Sequence, residues 1–198
     1  PLRCSGLLAL LFASDSYACA FYRIRLICQA PLFVFFFLED DFFVSKEDIH
    51  IVYNGIDSAH YKTTHNLTNR AKAQLGLEDC FAIGILARLS VVKGHAFLLQ
   101  AFKEVSAQYP FCKLVIIGDG GEKKALVKLA SSLKISDRTV FIPEVEDTRQ
   151  ALSALDMFVM PSINEGLGLA IIEAMACGIP VIASDVGGIK SIIQHNHN

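Results

Sequence analysis

The sequence has no excess of basic residues. Its 198 residues include 18 Lys and Arg against 20 Asp and Glu, so the formal net charge is −2. A general nucleic-acid binder carries a basic surface, and this balance therefore argues against nucleic acid as a partner. Charged residues of either sign are also few, at 19% against roughly 25% in a typical domain, while hydrophobic residues reach 53%. This composition excludes intrinsic disorder for the bulk of the chain.

Cysteine pairs of the kind that hold zinc or perform redox chemistry are missing. The six cysteines lie at positions 4, 19, 28, 80, 112 and 177, so no C-x-x-C motif occurs. This spacing argues against a zinc knuckle and a thioredoxin-type site. Cys112 and Cys177 fall inside apolar runs, where we expect them to be buried as small hydrophobic side chains. The cysteine usage favours a reducing compartment, and we expect a cytoplasmic protein.

The first 48 residues contain a single glycine and show no regular hydrophobic periodicity. Only one of the 13 glycines precedes Asn54, whereas eight of the 14 phenylalanines fall in the first 44 residues. A membrane-spanning helix needs about 20 consecutive apolar residues, and Asp15, Arg23 and Arg25 interrupt the pattern. A membrane segment or an export signal is one interpretation of this stretch. The other, which we favour, is a remnant of a preceding domain or a stretch with a disturbed reading frame.

From residue 81 onward, short apolar runs alternate with helical patterns. The runs are near-continuous, as in strands that are buried on both faces of a sheet. They predict five strands, at Phe81–Ala87, Lys113–Ile117, Thr139–Ile142, Met157–Met160 and Pro180–Ala183. The helices between them are predicted from the apolar stripes Phe97, Leu98, Ala101, Phe102, Val105 and Leu126, Leu129, Ala130, Leu133, and from the segments Thr148–Leu155 and Leu169–Ala176. The alternation predicts a doubly wound, Rossmann-like α/β domain, whose ligand binds at the carboxyl ends of parallel strands.

Two loops at the predicted carboxyl ends carry cations and glycines. In A-R-L-S-V-V-K-G, Arg88 and Lys93 precede Gly94, which opens a helix, and a helix N-terminus adds the positive end of its dipole. This pattern fits an anion site and a pair of solvated surface charges equally well. The second loop, G-D-G-G-E from Gly118, allows close approach to a ligand or a tight turn. Its spacing departs from G-x-G-x-x-G, so a nicotinamide cofactor is a weak alternative.

The loop before the predicted helix at Leu169–Ala176 carries a carboxylate, and so does the helix. The helix is apolar almost all round, which predicts burial, and Glu173 is its only charge. Such a carboxylate either accepts hydrogen bonds from ligand hydroxyls or points into solvent at the rim. Glu165 can face the same pocket, and Gly166 and Gly168 leave the helix N-terminus open to a phosphate. Cations suit a diphosphate and carboxylates suit sugar hydroxyls, so together they indicate a nucleotide-sugar.

These motifs resemble a known family. The segment E-G-L-G-L-A-I-I-E is similar to the Glu-x7-Glu motif of retaining glycosyltransferases with two Rossmann-like domains, the GT-B architecture, and specifically to the large family 4, or group 1. Other segments resemble the family in the same order: I-V-Y-N-G-I-D, G-I-L-A-R-L-S-V-V-K-G, L-V-I-I-G-D-G-G-E, D-M-F-V-M-P-S and A-C-G-I-P-V-I-A-S-D-V-G-G. The resemblance covers about residues 49–195. It implies a linker at 49–80 and an incomplete C-terminal, donor-binding domain at 81–198.

The resemblance also implies roles for individual residues. Arg88 and Lys93 would neutralise the diphosphate leaving group, and Glu165 would hold hydroxyls of the donor sugar, which makes these three the candidate catalytic residues. Glu173 would bind the ribose hydroxyls, and the loop around Pro143–Val145 would line the base, although Pro143-Glu144 stands where the family has a glycine. The remaining donor contacts are implied for Gly94, Gly118, Val145, Gly166, Leu167, Gly168 and Leu169, with Gly168 and Leu169 offering N–H groups to the phosphate.

The family also sets expectations for cofactors, partners and activity. No metal and no cofactor are expected, because the cations and the helix end replace a divalent ion. The expected partners are a nucleotide-diphospho-sugar and a glycan or lipid acceptor held by a missing N-terminal domain, with peripheral association at the inner face of a membrane. Because both ends of the chain look cut, we expect a fragment that does not transfer sugar alone. A nucleotide-sugar epimerase on the same scaffold and an inactive nucleotide-binding fragment remain as alternatives.

Overall fold

The computed structural model describes residues 54–194 and, before them, the backbone of three short strands. These strands are Leu8–Leu11 (β1), Ile24–Ile27 (β2) and Ile49–Val52 (β3). The chain divides into two compact units, residues 1–55 and 56–198. In the first unit β1 pairs antiparallel with β2, and β2 pairs in parallel with β3. The predictions of an export, membrane or remnant segment concern residues that lie mostly outside the described ones. Within the described residues, no helix is long and apolar enough to cross a membrane.

The second unit contains the predicted parallel sheet. Its five strands are Phe81–Leu86 (β4), Cys112–Ile117 (β5), Thr139–Ile142 (β6), Met157–Met160 (β7) and Val181–Ala183 (β8). The α-helices of this unit are His65–Leu75 (α1), His95–Gln108 (α2), Lys123–Ser132 (α3), Thr148–Ser153 (α4) and Leu169–Ala176 (α5). All strand pairings are parallel. The Rossmann-like α/β prediction is confirmed, and each strand bound lies within one residue of its predicted place.

The strand order is β6-β5-β4-β7-β8, so the chain reverses direction across the sheet at β4. From β4 it proceeds outward through β5 to β6, and then it returns to the other side of β4 to form β7 and β8. In open parallel sheets, ligands bind outside the carboxyl ends of the strands at such a reversal. The loops that follow β4 and β7 are therefore the first place to search for a site.

The centre of the sheet explains the near-continuous apolar runs. Ile85 of β4 and Leu114, Ile116 and Ile117 of β5 are fully buried, because helices cover both faces of these central strands. The edge strand β8 differs, since its Ile182 is 55% exposed. Cys112 and Cys177 are buried and free, as predicted.

The buried face of α2 is only partly the predicted one. Of the predicted stripe, Leu98 and Phe102 are buried and Val105 is half-buried, whereas Phe97 is 58% exposed and Ala101 is exposed. Leu99, outside the predicted stripe, is buried instead of Phe97, and periodicity alone could not choose between these two neighbours of Leu98. The buried stripe also includes His95, which is only 2% exposed.

Helix α5 is less buried than its composition predicts. Ile171 and Ala174 are buried, but its other residues, including Glu173, are half-buried. A short helix that packs one face on a sheet leaves its other face open whatever its composition, which is the reason for the difference.

The predicted linker at 49–80 contains the whole of α1. Thr64 caps this helix by accepting a hydrogen bond from Leu67 N at 3.3 Å, and Gly76 ends it in the left-handed region at φ 63°. Ala71 and Leu77 are buried in the core of the second unit. This helix is therefore part of that unit's packing.

Candidate functional site

Lys93 and Glu165 form an ion pair across the strand-order reversal. Lys93 ends a short 3₁₀ turn after β4, and Glu165 lies in the loop between β7 and α5. Lys93 Nζ is 2.6 Å from Glu165 Oε2, and the Ser162 hydroxyl donates to the same oxygen at 3.2 Å. The two side chains are only 19% and 10% exposed. The structure thus joins two of the predicted site residues to each other.

The loops that carry this pair are in direct backbone contact. Ile163 N donates to the Val92 carbonyl at 2.8 Å. Gly94 has φ 72°, and a Cβ atom there would lie 1.9 Å from the Pro161 carbonyl oxygen. Only glycine allows this approach, which places the start of α2 against the end of β7. The role of Gly94 as a ligand contact stays a prediction, and its close packing against Pro161 is a structural role.

A second glycine contact holds the other side of the Glu165 loop. Gly188 N donates to the Glu165 carbonyl at 3.1 Å. A Cβ atom on Gly188 would lie 1.7 Å from the Gly166 carbonyl oxygen, a distance that side-chain carbon atoms do not adopt. The glycine turn after β8 therefore fixes the backbone that carries Glu165 and Gly166.

Arg88, Gly118 and Val145 line one cleft at the same edge of the sheet. The cleft has a volume of about 310 Å³ and is lined by Leu86, Ala87, Arg88, Ile117, Gly118, Asp119, Glu144, Val145 and Thr148. Arg88 is exposed, and its guanidinium makes no ion pair within residues 54–194. The close approach expected of Gly118 is made to the Ala87 carbonyl, which a Cβ atom would meet at 2.2 Å. The structure therefore brings a free cation and the predicted base loop into one cleft.

The N-terminus of α5 has no side-chain cap. Gly168 stands at the N-cap with φ 73° and supplies no side-chain acceptor, and Leu169 is the first helical residue. Leu167, just before this glycine, is 4% exposed and lies in the core. A helix start of this kind presents N–H groups to an anion.

Glu173 lies beside Tyr61, a residue that the motif analysis did not select. The Tyr61 hydroxyl is 3.0 Å from Thr148 Oγ1. The pKa of the phenol is raised first by burial and then by the neighbouring Glu173 carboxylate. Glu173 also contributes to the raised pKa of the Cys177 thiol, which is about 11 mainly because of burial. Glu173 is thus neither deeply buried nor alone at a solvated rim.

His95 and Ser90 bury polar atoms without protein partners. Among residues 54–194, the two ring nitrogens of His95 and the Ser90 hydroxyl have no hydrogen-bond partner. The pKa of His95 is lowered to about 4, mainly by burial, with a smaller effect from the charge of Lys93. This imidazole is therefore neutral at pH 7 and packs behind the loop that bears Lys93.

Sequence reasoning missed three polar residues at this edge. Ser162, Thr148 and Tyr61 carry hydroxyls that touch Glu165 or connect the cleft to Glu173. Ser162 was detectable, because it directly follows the strand end that the motif identified. Tyr61 carried no such signal, since 87 residues separate it from Thr148.

The chain belongs to the glycosyl transferases group 1 family, because the model of that family matches residues 68–198. The predicted resemblance is thereby confirmed. Relatives include the N-acetyl-alpha-D-glucosaminyl L-malate synthase of Bacillus anthracis, which is 34% identical over 76% of this chain and 39% of its own length. The D-inositol 3-phosphate glycosyltransferase of Rhodococcus opacus is 36% identical over 74% of this chain and 34% of its own. The chain thus spans little more than a third of these relatives.

Solved structures share the fold of this chain. Anabaena Alr3699/HepE, solved in complex with UDP and glucose, has 31% identity and a TM-score of 0.71 over 76% of this chain and 42% of its own. The same protein has been solved with UDP-glucose. WaaG, a glycosyltransferase involved in lipopolysaccharide biosynthesis, has 20% identity and a TM-score of 0.68, which is a likeness of fold.

Proposed function

We propose that this chain binds a nucleotide-diphospho-sugar and is the donor-binding part of a retaining glycosyltransferase. The observation that carries the proposal is the positive edge at the strand-order reversal. Arg88 lacks an ion-pair partner in the described chain, Lys93 stands on the same loop after β4, and Gly168 leaves the α5 N-terminus uncapped. Binding of UDP and UDP-glucose by a relative of the same fold supports this choice of ligand.

The positive edge suits the leaving group of a sugar transfer. When the bond between the anomeric carbon and the diphosphate breaks, the nucleoside diphosphate gains negative charge. Arg88, Lys93 and the N–H groups at Gly168 and Leu169 would stabilise that charge without a reorganisation of the site. These groups would do more for the transition state than for the bound donor, which is what catalysis requires.

The Lys93–Glu165 ion pair gives the donor two sets of partners at once. The Lys93 ammonium would donate to a diphosphate oxygen and thereby partly release the Glu165 carboxylate. A sugar hydroxyl would then donate to that carboxylate. Ser162 holds the same carboxylate oxygen, so Glu165 stays oriented during the exchange. The donor sugar would therefore lie beside Glu165, with Gly166 and Leu167 forming the backbone beneath it.

The nucleoside would extend along the cleft that contains Val145. Glu173 would accept hydrogen bonds from the ribose hydroxyls, and Pro143–Val145 would line the base. Pro143 and Glu144 are exposed at this point, and the glycine of the family is absent. Titration with nucleoside diphosphates of different bases would identify the preferred base, and UDP is the first probe.

The proposal extends to the metal requirement, the acceptor and the location of the whole enzyme. Transfer would need no metal, since cations and a helix end face the phosphates, and activity in excess chelator tests this. The acceptor would be a glycan, a lipid or a small molecule held by a further domain. The protein would act in the cytoplasm, with peripheral association at the inner face of a membrane.

We further propose that the isolated chain does not transfer sugar. Much of the rate of a transfer comes from holding the acceptor against the anomeric carbon, and the described donor edge supplies only one side of such a cleft. Release of nucleoside diphosphate that requires an added acceptor, and that disappears in Glu165→Ala, would show the opposite. Interconversion of sugar epimers without an acceptor would instead support the epimerase alternative.

Calorimetric titration of the purified chain with UDP, GDP and ADP tests the donor proposal. We expect binding of one of them, and Glu173→Ala should weaken it by about 1.5–3 kcal/mol, the value of a charge-assisted hydrogen bond, while folding changes less. Glu104→Ala, at an exposed position of α2, is the matched control and should leave affinity unchanged. A folded chain that binds none of the three at millimolar concentration contradicts the proposal.

A further inference from the structure

Tyr61 belongs to a short segment that hydrogen bonds attach to α4 and α5. The Tyr61 hydroxyl is 3.0 Å from Thr148 Oγ1, at the first residue of α4. Thr63 Oγ1 donates to the Cys177 carbonyl at 3.0 Å, at the end of α5. The segment at residues 61–63 therefore passes from the start of one helix to the end of the other.

This path takes the Tyr61 phenol past Glu173. Glu173 is four residues before Cys177, one helical turn from the point where Thr63 is bound. The Glu173 charge acts on the phenol and raises its pKa, in addition to the larger effect of burial, so the phenol remains protonated at neutral pH. The phenol can therefore act as a hydrogen-bond donor.

Glu173 has no cation to hold it. Within residues 54–194, its carboxylate forms no ion pair with Lys, Arg or His. Glu165 differs, since Lys93 and Ser162 fix its carboxylate. A half-buried carboxylate with free rotamers would lose entropy when it binds a ligand, and a neighbouring hydroxyl that orients it would reduce that loss.

We propose that Tyr61 is a positioning residue for Glu173: its hydroxyl, held by Thr148, donates to the carboxylate and sets it toward the ribose. In this arrangement the Thr148 hydroxyl donates to the phenol oxygen, since either hydroxyl of this pair can donate. Thr148 also lines the cleft with Arg88 and Val145. The chain Thr148–Tyr61–Glu173 thus connects the cleft wall to the carboxylate. This inference rests on the proposed role of Glu173.

The test compares UDP with its 2′-deoxy analogue, dUDP, in the wild-type chain and in Tyr61→Phe. The wild type should prefer UDP by roughly tenfold, since a charge-assisted hydrogen bond to the 2′-hydroxyl is lost in dUDP. In Tyr61→Phe the preference should fall to about threefold, because the carboxylate remains but is no longer oriented. Tyr109→Phe, which removes the hydroxyl of a half-exposed tyrosine at the end of α2, should retain the wild-type ratio.

The ratio distinguishes positioning from general stabilisation. A merely structural Tyr61 would weaken UDP and dUDP equally and leave the preference unchanged, which overturns the inference while the donor proposal stands. Absence of UDP, GDP and ADP binding by the wild type overturns both. Thr148→Val supplies a second variant, and it should reduce the preference in the same direction with the phenol still present. An unchanged preference in both variants contradicts the connection.

Discussion

Two ion pairs lie at opposite ends of the same parallel sheet, and they are bonded differently. At the amino end, Lys72 Nζ is 2.5 Å from Asp156 Oδ2, Ala82 N donates to that oxygen at 2.8 Å, and Lys72 also donates to the Cys80 carbonyl at 3.3 Å. At the carboxyl end, the Lys93–Glu165 pair is supplemented by the Ser162 hydroxyl. Both pairs are mostly shielded from water.

The two pairs differ in the groups that donate hydrogen bonds to each carboxylate. The Asp156 carboxylate accepts from the Ala82 N–H of β4, and Lys72 donates to the Cys80 carbonyl. That pair therefore joins α1 to the start of two strands. The Glu165 carboxylate accepts only from side chains among the described residues, and side-chain partners can be exchanged for a ligand at little cost to the backbone. The amino-end pair is therefore a structural contact, and the carboxyl-end pair is suited to binding.

Removal of the amino-end carboxylate should give the largest effect. In Asp156→Ala, Lys72 loses its counter-ion and the Ala82 N–H loses its acceptor, which should lower the free energy of unfolding by about 3 kcal/mol. Urea unfolding measures this loss. UDP affinity of the remaining folded protein should be unchanged, and a selective loss of affinity would contradict the distinction between the two pairs.

A methyl group at Gly188 should disturb the carboxyl-end pair through its backbone. Because Cβ would collide with the Gly166 carbonyl, Gly188→Ala must displace the Glu165 loop, and we expect a loss of about 2 kcal/mol in unfolding free energy together with weaker UDP binding. Gly121→Ala is the matched control, since Gly121 has open space around it. Equal behaviour of the two variants would mean that the loop adapts freely.

Acid should weaken the fold behind Lys93. The pKa of His95 is lowered to about 4 in the folded protein, whereas it is about 6.5 when unfolded, so the unfolded chain takes up the proton first. Stability is therefore full above pH 6.5 and declines as the pH falls toward 4, by about 1–2 kcal/mol between pH 7 and pH 5. The slope should disappear in His95→Leu and persist in His65→Asn, whose imidazole is exposed. A normal titration of the His95 ring by NMR would refute this assignment even if the leucine variant does not fold.

Loss of the carboxyl-end cation should give the smallest energetic effect and the most selective one. Lys93→Ala should weaken UDP binding about tenfold, or about 1.4 kcal/mol, with a smaller change in unfolding free energy. Lys128→Ala, on the exposed surface of α3, controls for net charge. If Lys93→Ala instead destabilised the chain as much as Asp156→Ala does, the two pairs would be equivalent.

Local chemistry made much of the fold predictable. The strands of the parallel sheet are near-continuous apolar runs, so their positions followed from hydrophobicity. At Gly94 and Gly188 a Cβ atom would collide with the backbone of a neighbouring loop, and at Gly168 the positive φ favours glycine. The buried face of α2 was predictable only in part, since Phe97 and Leu99 flank the buried Leu98 and only the orientation of the helix on the sheet decides which of them is buried.

The sequence by itself determined which residue types stand at the carboxyl edge: two cations, two carboxylates and an uncapped helix start. Only the tertiary structure decided how they pair. It placed Lys93 against Glu165 and, within residues 54–194, left Arg88 without an ion-pair partner. It also gave Glu173 a phenol as its neighbour and buried His95 in the core. Spacing along the chain carries no such information, because partners 72 or 87 residues apart meet only when the sheet brings their loops to one edge, where burial makes each pairing worth more than it is in water.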